Sequence, residues 1–265
     1  MDSIDIPVAL TIAGSDCSGG AGIQADLKTF QSFGVHGLSA ITSIVAETPL
    51  EVRHIEPVEI PLLQAQINLL LDTYPVNAAK TGLLPSRMSI IAVAEIFKDR
   101  QISLVVDPVM IASTGTSLLS EDAITAQSTR LLPCATLVTP NIPEAESILK
   151  RTIISEADLE QAANDIGEQP EVSCLVKGGH LPGKDDRIDI LWHQGEIHHF
   201  RHSYVDLPGG MHGTGCTLSS AITAGLALNH PMEKAVADAI NYLQELIRSA
   251  HTWKSHGQTI RCLGW

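Results

Sequence analysis

Residues 8–46 read VALTIAGSDCSGGAGIQADLKTFQSFGVHGLSAITSIVA, and this stretch decides the fold class. It opens with an apolar run, Val8–Ala13, of the kind that forms a buried strand. Apolar residues then recur at helical spacing until Gly34, so a helix is predicted over Ala21–Phe33. The β-branched, alternating segment Leu38–Ala46 predicts a second strand. A strand, a helix and a strand in this order indicate a parallel sheet.

The same alternation continues to the end of the chain. Further strands are predicted at Asn77–Lys80, Ile102–Val106, Ala135–Thr139 and Ser173–Lys177, with a hairpin of Ile188–His193 and Glu196–Phe200. Further helices are predicted at Ile60–Leu71, Ser86–Asp99, Ser120–Leu132, Pro143–Leu149, Ser155–Ile166, Thr214–Leu228 and Met232–His251. We therefore expect an α/β fold in which a single domain, residues 1–265, has a mostly parallel central sheet with helices on both faces.

Composition narrows the classes of partner. The chain has 30 acidic residues against 17 Lys plus Arg, a formal charge of −13, and no cluster of basic residues. Such a chain is a poor candidate for binding nucleic acid or an anionic membrane. Its N-terminus has no basic segment followed by an apolar one, and no apolar run reaches the roughly 20 residues of a membrane span. The five cysteines are widely spaced and form no CxxC, so we expect reduced thiols and a cytoplasmic protein.

Polar residues follow the strands at one end. Ligands of open α/β sheets bind beyond the carboxyl ends of the strands. Five such ends carry polar or glycine residues: Gly14-Ser15-Asp16, Lys80, Asp107, Asn141 and Lys177-Gly178-Gly179. The pattern predicts one site along one edge of the sheet, although each residue alone could be an ordinary turn residue.

The strongest local motif is HGTGCT, His212–Thr217, which precedes the small-residue helix LSSAITAGLAL. Its glycines permit close backbone approach to a ligand, and the helix behind them offers unpaired N–H groups and a positive dipole end. Together these features predict an anion hole suited to a phosphoryl group. The alternative is a glycine-rich turn that caps a packed helix.

Cys216 falls in the first turn of that helix. The position predicts a lowered thiol pKa and a thiolate that serves as a general base or orients a substrate hydroxyl. The alternative is a small buried apolar side chain, which is the common fate of a free cysteine.

Two further segments carry candidate ligands. The loop from Gly14 to Gly22 is glycine-rich but matches neither GxxxxGK[ST] nor GxGxxG, which disfavours a Walker-type or dinucleotide site. Within and after it, Asp16 and Asp26 are candidate hydrogen-bond acceptors or helix caps. Asn-Ile-Pro-Glu at 141–144 places an amide and a carboxylate three residues apart, which suits either a hydrated Mg²⁺ or a capping box.

Several of these motifs together resemble the hydroxymethylpyrimidine/phosphomethylpyrimidine kinases of the ribokinase-like superfamily. The matching segments are ALTIAGSDCSGGAGIQADLKTF (9–30), DPVM (107–110), LLP…TPNIPEA (131–145), VKGGH (176–180) and HGTGCTLSSAI (212–222). Their order and spacing agree with the family over roughly residues 8–250. The resemblance implies a ribokinase-like three-layer α/β/α sandwich. It also implies phosphorylation of 4-amino-5-hydroxymethyl-2-methylpyrimidine by ATP with Mg²⁺, followed by phosphorylation of the monophosphate.

The resemblance also assigns roles to particular residues. It places an anion hole at Gly213, Thr214 and Gly215, with Cys216 as the catalytic cysteine. It assigns contacts with the substrate to Asp26, Glu47, Gly14, Leu83 and Val109. It assigns the nucleotide to Lys177, Asn141, Asp107 and His212, and the metal to Glu144 and Asn141. It further implies a homodimer, for which apolar strand residues near 38–46 offer a surface.

Glu47 is the main departure from the family. The family usually has Ala-Gln-Asn-Thr where this chain has Ala46-Glu47-Thr48-Pro49. Glutamine offers a donor and acceptors, whereas an ionised glutamate offers acceptors alone. We expect Glu47 to bind an exocyclic amine and a protonated ring nitrogen of an aminopyrimidine. The alternatives are a pyridoxine-like alcohol as acceptor, or a catalytically idle ligand-binding protein on the same fold.

Overall fold

The computed structural model describes residues 6–111, 118–168, 171–179, 181, 186–203, 205, 211–255 and 257–265. The strands are β1 (Val8–Asp16), β2 (His36–Thr48), β3 (Glu51–Pro57), β4 (Val76–Thr81), β5 (Ser103–Val106), β6 (Leu137–Val138), β7 (Ser173–Lys177), β8 (Asp186–His193), β9 (Glu196–Ser203), β10 (His251–Ser255) and β11 (Gln258–Cys262). The helices are α1 (Gly22–Ser32), α2 (Ile60–Thr73), α3 (Arg87–Phe97), α4 (Glu121–Ala126), α5 (Ile142–Leu149), α6 (Glu156–Glu168), α7 (Thr214–Ala227) and α8 (Met232–Arg248).

Nine of the strands form one sheet in the order β3-β2-β1-β4-β5-β6-β7-β8-β9. The six strands from β2 to β7 pair in parallel, whereas β3, β8 and β9 pair antiparallel at the two edges. The prediction of a mostly parallel sheet is confirmed. Because the parallel strands run the same way, the segments that leave their carboxyl ends meet along a single edge.

Alternation along the strands assigns the helices to two layers. In β5, Leu104 and Val106 pack in the cluster that contains α2, α3 and α4, whereas Val105 packs with α7 and α8. In β7, Val176 packs with α5 and α6, whereas Leu175 again packs with α7 and α8. Successive side chains of a strand point to opposite faces. Helices α1, α7 and α8 therefore cover one face and α2 to α6 the other, which gives the three-layer arrangement.

Several predicted elements differ from the structure. The strand β3 was not expected, because five of its seven residues are exposed and it carries no continuous apolar pattern. The strand predicted at Ala135–Thr139 is reduced to Leu137–Val138. The last helix ends at Arg248 and is followed by the hairpin of β10 and β11, which turns at Gly257.

The predicted helix Ser120–Leu132 is regular only over Glu121–Ala126. A π-helical turn and a 3₁₀ turn follow it and bring the chain to Cys134. Pro133 lacks an N–H and its ring crowds the preceding turn, which explains why the regular helix does not continue. Ser120 lies at the N-cap as expected, but its hydroxyl bonds to Asp122 and makes no hydrogen bond to a helix amide.

Among the residues that the structure describes, no helix has both the length and the apolar character needed to cross a bilayer.

Candidate active site

A cavity of about 870 Å³ opens at the carboxyl edge of the sheet. Its walls include nearly all the residues that the sequence singled out: Gly14, Glu47, Leu83, Asp107, Val109, Asn141, Glu144, Lys177, His212, Gly213, Thr214, Gly215 and Cys216. These residues come from segments up to 202 positions apart, as counted from Gly14 to Cys216. The structure thus brings these residues together along one edge of the sheet, as expected. Asp16, Asp26 and Lys80, which the sequence also singled out, do not line the cavity.

The N-terminus of α7 faces this cavity. Gly213 is its N-cap, with φ of +81°, and a Cβ at this position would lie 1.8 Å from the carbonyl oxygen of Gly20. A residue with a side chain would therefore clash with the backbone as well as being strained. A Cβ at Gly215 would lie 3.4 Å from Lys177 Nζ. The two glycines thus bring unpaired amide groups and a lysine ammonium close together.

Lys177 and Asp107 form an ion pair at the cavity wall, which we call the cavity pair. Lys177 Nζ lies 3.1 Å from Asp107 Oδ1, and Ser219 of α7 donates to Asp107 Oδ2 over 3.2 Å. Burial alone would raise the pKa of Asp107, but the charges of Lys177 and Lys80 outweigh it and the pKa is lowered. Asp107 is therefore ionised, and Lys177, whose pKa is raised mainly by Asp107 against the effect of burial, keeps its positive charge.

Asn141 and Glu144 form the capping box that the sequence allowed. Asn141 Oδ1 accepts from the Glu144 amide over 2.9 Å, and Glu144 Oε2 accepts from the Asn141 amide over 2.8 Å. Glu144 nevertheless lines the cavity. Burial raises its pKa to about 7, with Lys177 opposing the shift and Asp107 adding to it. The cap and a role in the cavity are therefore compatible.

The charges at this wall fit a divalent cation. The carboxylates of Asp26, Asp107 and Glu144 are balanced here by two ammonium groups, those of Lys80 and Lys177, which leaves one carboxylate without a compensating charge. Mg²⁺ keeps several waters and binds through few carboxylates. Since one oxygen of Glu144 and the amide oxygen of Asn141 are engaged in the cap, a hydrated ion that contacts Glu144 fits these residues better than one enclosed by protein ligands.

Asp26 lies beneath the cavity in a second ion pair, which we call the buried pair. Lys80 Nζ lies 2.9 Å from Asp26 Oδ1, and neither side chain has any exposed surface. Thr11 donates to Asp26 Oδ2 over 2.5 Å, and Ser220 of α7 donates to Oδ1. The expectation that Asp26 contacts a substrate is not met here, because its carboxylate oxygens are enclosed by these three donors.

Cys216 differs from the expectation of a lowered pKa. Burial raises the pKa of its thiol to about 12; Lys80 opposes the shift, whereas Asp26 and Asp107 add to it. The backbone N–H of Gly22, the first residue of α1, donates to the sulfur. The dipole of α7 and this amide favour a thiolate, but desolvation and two carboxylates outweigh them. In this structure Cys216 is a neutral thiol at pH 7.

Asp16 joins the loop before α1 to the loop before α7. Its carboxylate accepts from the amides of Ser18, Gly20 and Ala21 at 2.7–3.0 Å, and His212 Nε2 lies 3.1 Å from Oδ2. These bonds lower its pKa to about 2, against the effect of burial. Asp16 is therefore a hydrogen-bond acceptor, which is one of its two predicted roles, and it does not cap α1, whose N-terminus has no side-chain cap.

Glu47 approaches this cluster from β2. One ligand atom each from Asp16, Glu47 and His212 lie within 4.8 Å of one another. Burial raises the pKa of Glu47, the charge of Asp16 adds to the shift, and His212 opposes it. Asp16 Oδ2 already accepts four hydrogen bonds, from Ser18 Oγ, Gly20, Ala21 and His212, so it has no lone pair left for a cation. Glu47 lines the cavity and Asp16 does not, so the Glu47 carboxylate is the one that a ligand in the cavity can reach.

Sequence reasoning missed several residues of the site. Ser219 and Ser220 were noted only as part of a small-residue helix, although two buried hydroxyls in an apolar segment are a signal that they bond to something. Lys80 was noted as a strand end but given no partner. Thr259 and Arg261 of the C-terminal hairpin also line the cavity and gave no signal. His180, part of the VKGGH motif, lies outside the described residues.

Comparison with known proteins identifies the family and the fold of this chain. A family model described as phosphomethylpyrimidine kinase matches residues 16–260. The hydroxymethylpyrimidine/phosphomethylpyrimidine kinase of Haemophilus influenzae is 38% identical over 261 residues, which cover 96% of each chain. A relative from Schizosaccharomyces pombe is 44% identical over 260 residues, and the chain spans about half (47%) of its length.

A solved structure shares the fold over almost its whole length. It is an ADP complex of Bacillus subtilis pyridoxal kinase, 32% identical in sequence, with a TM-score of 0.88 and 98% of each chain covered. The architecture is therefore ribokinase-like, as the sequence motifs implied. With a family model that covers most of the chain and a relative matched from end to end, the chain belongs to the phosphomethylpyrimidine kinase family.

Proposed function

We propose that this protein transfers the γ-phosphoryl group of ATP to the hydroxymethyl oxygen of 4-amino-5-hydroxymethyl-2-methylpyrimidine, and then a second group to the resulting monophosphate, in thiamin biosynthesis. The observation that carries the proposal is the meeting of an anion hole, a lysine and a buried carboxylate in one cavity: Gly213–Cys216, Lys177 and Glu144. Family membership supplies the substrate class.

Positioning and electrostatics supply the catalysis in this proposal. The N-terminal amides of α7 and the Lys177 ammonium face the same space, so both stabilise negative charge on a phosphoryl group in flight. Mg²⁺, held near Glu144 and Asn141, would neutralise charge on the ATP phosphates. Asp107 keeps Lys177 protonated and directed at the cavity.

Cys216 orients the acceptor hydroxyl in this scheme. Its thiol has a pKa of about 12, so it is a poor base at pH 7. Phosphoryl transfer passes through a loose transition state in which the attacking oxygen is only weakly bonded, and strong base catalysis is not required. The acceptor proton therefore leaves late, to an oxygen of the transferred phosphoryl group, and the position of Cys216 at the anion hole matters more than its charge.

The acceptor ring is assigned to the side of the cavity formed by β1, β2 and the segment after β4. Gly14, Val45, Leu83 and Val109 provide an apolar surface, and Glu47 provides a carboxylate. This combination suits a flat heteroaromatic ring with hydrogen-bond donors on one edge. The aminopyrimidine meets that description when its ring nitrogen is protonated.

A pyridoxal-type vitamin kinase is the second candidate. One observation favours it: the pyridoxal kinase of B. subtilis superposes over 98% of each chain with a TM-score of 0.88. A pyridinol presents a different donor pattern to Glu47 from an aminopyrimidine. Substrate ranking therefore separates the two candidates.

The deciding experiment is mass-detected phosphoryl transfer from Mg-ATP to a panel of alcohols. The panel contains hydroxymethylpyrimidine, its monophosphate, pyridoxine, pyridoxal and a simple sugar, with Cys216→Ala as the control. We expect conversion of hydroxymethylpyrimidine through the monophosphate to the diphosphate. Turnover of pyridoxal or pyridoxine alone would replace the proposal with the second candidate. Binding without turnover of any alcohol would indicate an idle ligand-binding protein.

Glu47→Gln tests the assignment of the ring edge, because it changes an acceptor-only group into a donor and acceptor of the same size. We expect the KM for hydroxymethylpyrimidine to change more than the KM for ATP. An unchanged substrate ranking would remove Glu47 from the specificity argument.

Three further expectations belong to the proposal: a single domain, a cytoplasmic location and a homodimer. For the dimer, the support is the apolar surface on the β2–β3 edge, where Ile44 is 52% and Leu50 is 41% exposed. Light scattering of the purified protein tests the assembly, and a monomeric mass at micromolar concentration would contradict it.

A further inference from the structure

The buried pair connects the two helices whose N-termini meet at Cys216. Helix α1 begins at Gly22, whose amide donates to the Cys216 sulfur. One helical turn further along each helix lie Asp26 and Ser220, which are hydrogen-bonded to each other. The contacts Gly22–Cys216 and Asp26–Ser220 thus join α1 to α7 at two successive points, which are four residues apart on both helices.

Lys80 and Thr11, which lie on strands of the sheet, bind to the Asp26 carboxylate of the second contact. Thr11 of β1 donates to one oxygen of Asp26, and Lys80 of β4 donates to the other. The four side chains of this cluster, those of Thr11, Asp26, Lys80 and Ser220, are fully buried. The Lys80 ammonium also lies just behind the cavity wall, since a Cβ at Gly82 would be 3.6 Å from Nζ. The cluster is therefore next to the site but closed to any ligand.

We infer that Asp26, with Lys80, Thr11 and Ser220, is a positioning residue that sets the register of α1 against α7, so that the Gly22 amide faces Cys216. Its role is exerted through Cys216 and the anion hole, and it makes no contact with the acceptor ring. The inference rests on the proposed function only where turnover is measured.

The charged groups around Cys216 make the sulfur a reporter of this register. The positive charges of Lys80 and Lys177 favour the thiolate of Cys216, whereas the negative charges of Asp26 and Asp107 disfavour it. If the hydrogen bond between Asp26 and Ser220 is lost, α7 moves relative to α1 and the Gly22 hydrogen bond to the sulfur weakens. Asp26 also becomes a less compensated charge. Both changes disfavour the thiolate, so the reactivity of Cys216 at a fixed pH falls.

The test compares two hydroxyl deletions in the same helix. Ser220→Ala removes the bond from α7 to Asp26. Thr223→Val is the matched control, because the equally buried Thr223 hydroxyl donates only to the Ser219 carbonyl within α7. The measured quantities are the rate of alkylation of Cys216 by iodoacetamide between pH 7 and 10, read by peptide mass spectrometry, and the kcat and KM for the acceptor.

We expect Ser220→Ala to slow alkylation of Cys216 about threefold to tenfold, the effect of one hydrogen bond. We expect a similar fall in kcat and an unchanged KM for the acceptor, while Thr223→Val leaves the alkylation profile at the wild-type curve. Thr11→Val should act like Ser220→Ala, and Thr11→Ser, which keeps the hydroxyl, should restore the wild-type profile.

Three results would overturn the inference. The first is a raised KM with unchanged kcat and unchanged alkylation, which would mean that the cluster touches the substrate. The second is equal loss of Cys216 reactivity in Thr223→Val, which would mean general loosening of α7. The third is wild-type alkylation in both Ser220→Ala and Thr11→Val. Because alkylation needs no turnover, it decides the inference even if the panel of alcohols shows that the proposed function is wrong.

Discussion

Two aspartate–lysine pairs are bonded to adjacent serines of α7, and they differ in what surrounds them. The cavity pair, Asp107–Lys177, accepts from Ser219 and borders the cavity, where the Lys177 side chain keeps 15% of its surface exposed. The buried pair, Asp26–Lys80, accepts from Ser220 and has no exposed side-chain surface. A charged group that meets solvent can also meet a ligand, whereas an enclosed pair can act only through the protein around it.

The charges of both pairs act on the thiol of Cys216. Replacing Cys216 therefore removes the group on which both pairs act, and the change in kcat measures its importance. We expect Cys216→Ala to fold normally and to lower kcat about a hundredfold or more. Because Cys216 acts as a neutral thiol that orients the acceptor, we also expect the kcat of the wild type and that of the variant to change little between pH 7 and 9. Steady-state kinetics across that range check both points. Near-full kcat in the variant would exclude the orienting role of Cys216, though not the anion hole, and a wild-type kcat that rises with pH would indicate a thiolate base.

Breaking the buried pair should cost stability. Lys80→Met leaves the Asp26 carboxylate enclosed without a compensating charge, and we expect a loss of about 3–5 kcal/mol in the free energy of unfolding. Urea denaturation followed by circular dichroism measures it. The double variant Lys80→Met/Asp26→Asn removes both charges and should recover most of the loss. If the double variant is as unstable as the sum of the two single variants, the two charges do not interact and the pair is not the source of the effect.

Breaking the cavity pair should cost activity instead. We expect Lys177→Met to lower kcat/KM about a hundredfold, because a cation that faces the transferred phosphoryl group is lost. The loss of stability should be smaller than for Lys80→Met, since Asp107 can be hydrated from the cavity. The two variants, assayed side by side for turnover and for unfolding, give the contrast directly. Equal losses of stability would show that the difference in exposure has no energetic consequence.

Glu144 extends the cavity pair and gives the smallest expected effect. Its pKa is raised to about 7 in the folded protein, mainly by burial, so its protonated form is favoured by folding. The stability it contributes is fully present below the ordinary carboxyl pKa of 4.5 and is lost as the pH rises from there to about 7. Glu144→Gln keeps the capping box but removes the charge. Relative to this variant, the wild-type melting temperature should therefore fall between pH 5 and pH 8; a constant difference across that range would contradict the shifted pKa.

The sequence alone predicted most of the fold and the motifs that meet at the cavity. Apolar alternation placed β1, β2, β4, β5 and β7 and the helices between them, because a buried parallel strand needs a nearly continuous apolar run. It failed where burial is one-sided or absent, as in the exposed edge strand β3 and the C-terminal hairpin. Periodicity reports burial, so elements without burial give little signal.

The same distinction applies to the functional residues. Residues that follow a strand or begin a helix, such as Asp107, Lys177 and Gly213, were identified from local motifs, since parallel strands bring their carboxyl ends to one edge whatever the detailed packing. The sequence could also offer both a cap and a metal ligand for Glu144, and the structure shows that the cap leaves the side chain in the cavity.

Only the tertiary structure decided which charges are paired and which face a ligand. The sequence shows an aspartate at both position 26 and position 107. In the structure, Asp26 is enclosed by Thr11, Lys80 and Ser220, whereas Asp107 lines a cavity. Cys216 lies in the first turn of a helix, but the pKa of its thiol is raised because desolvation and two nearby carboxylates outweigh the helix dipole. Solvation and charge pairing depend on atoms distant in the chain, which is why local sequence could name these residues but not their states.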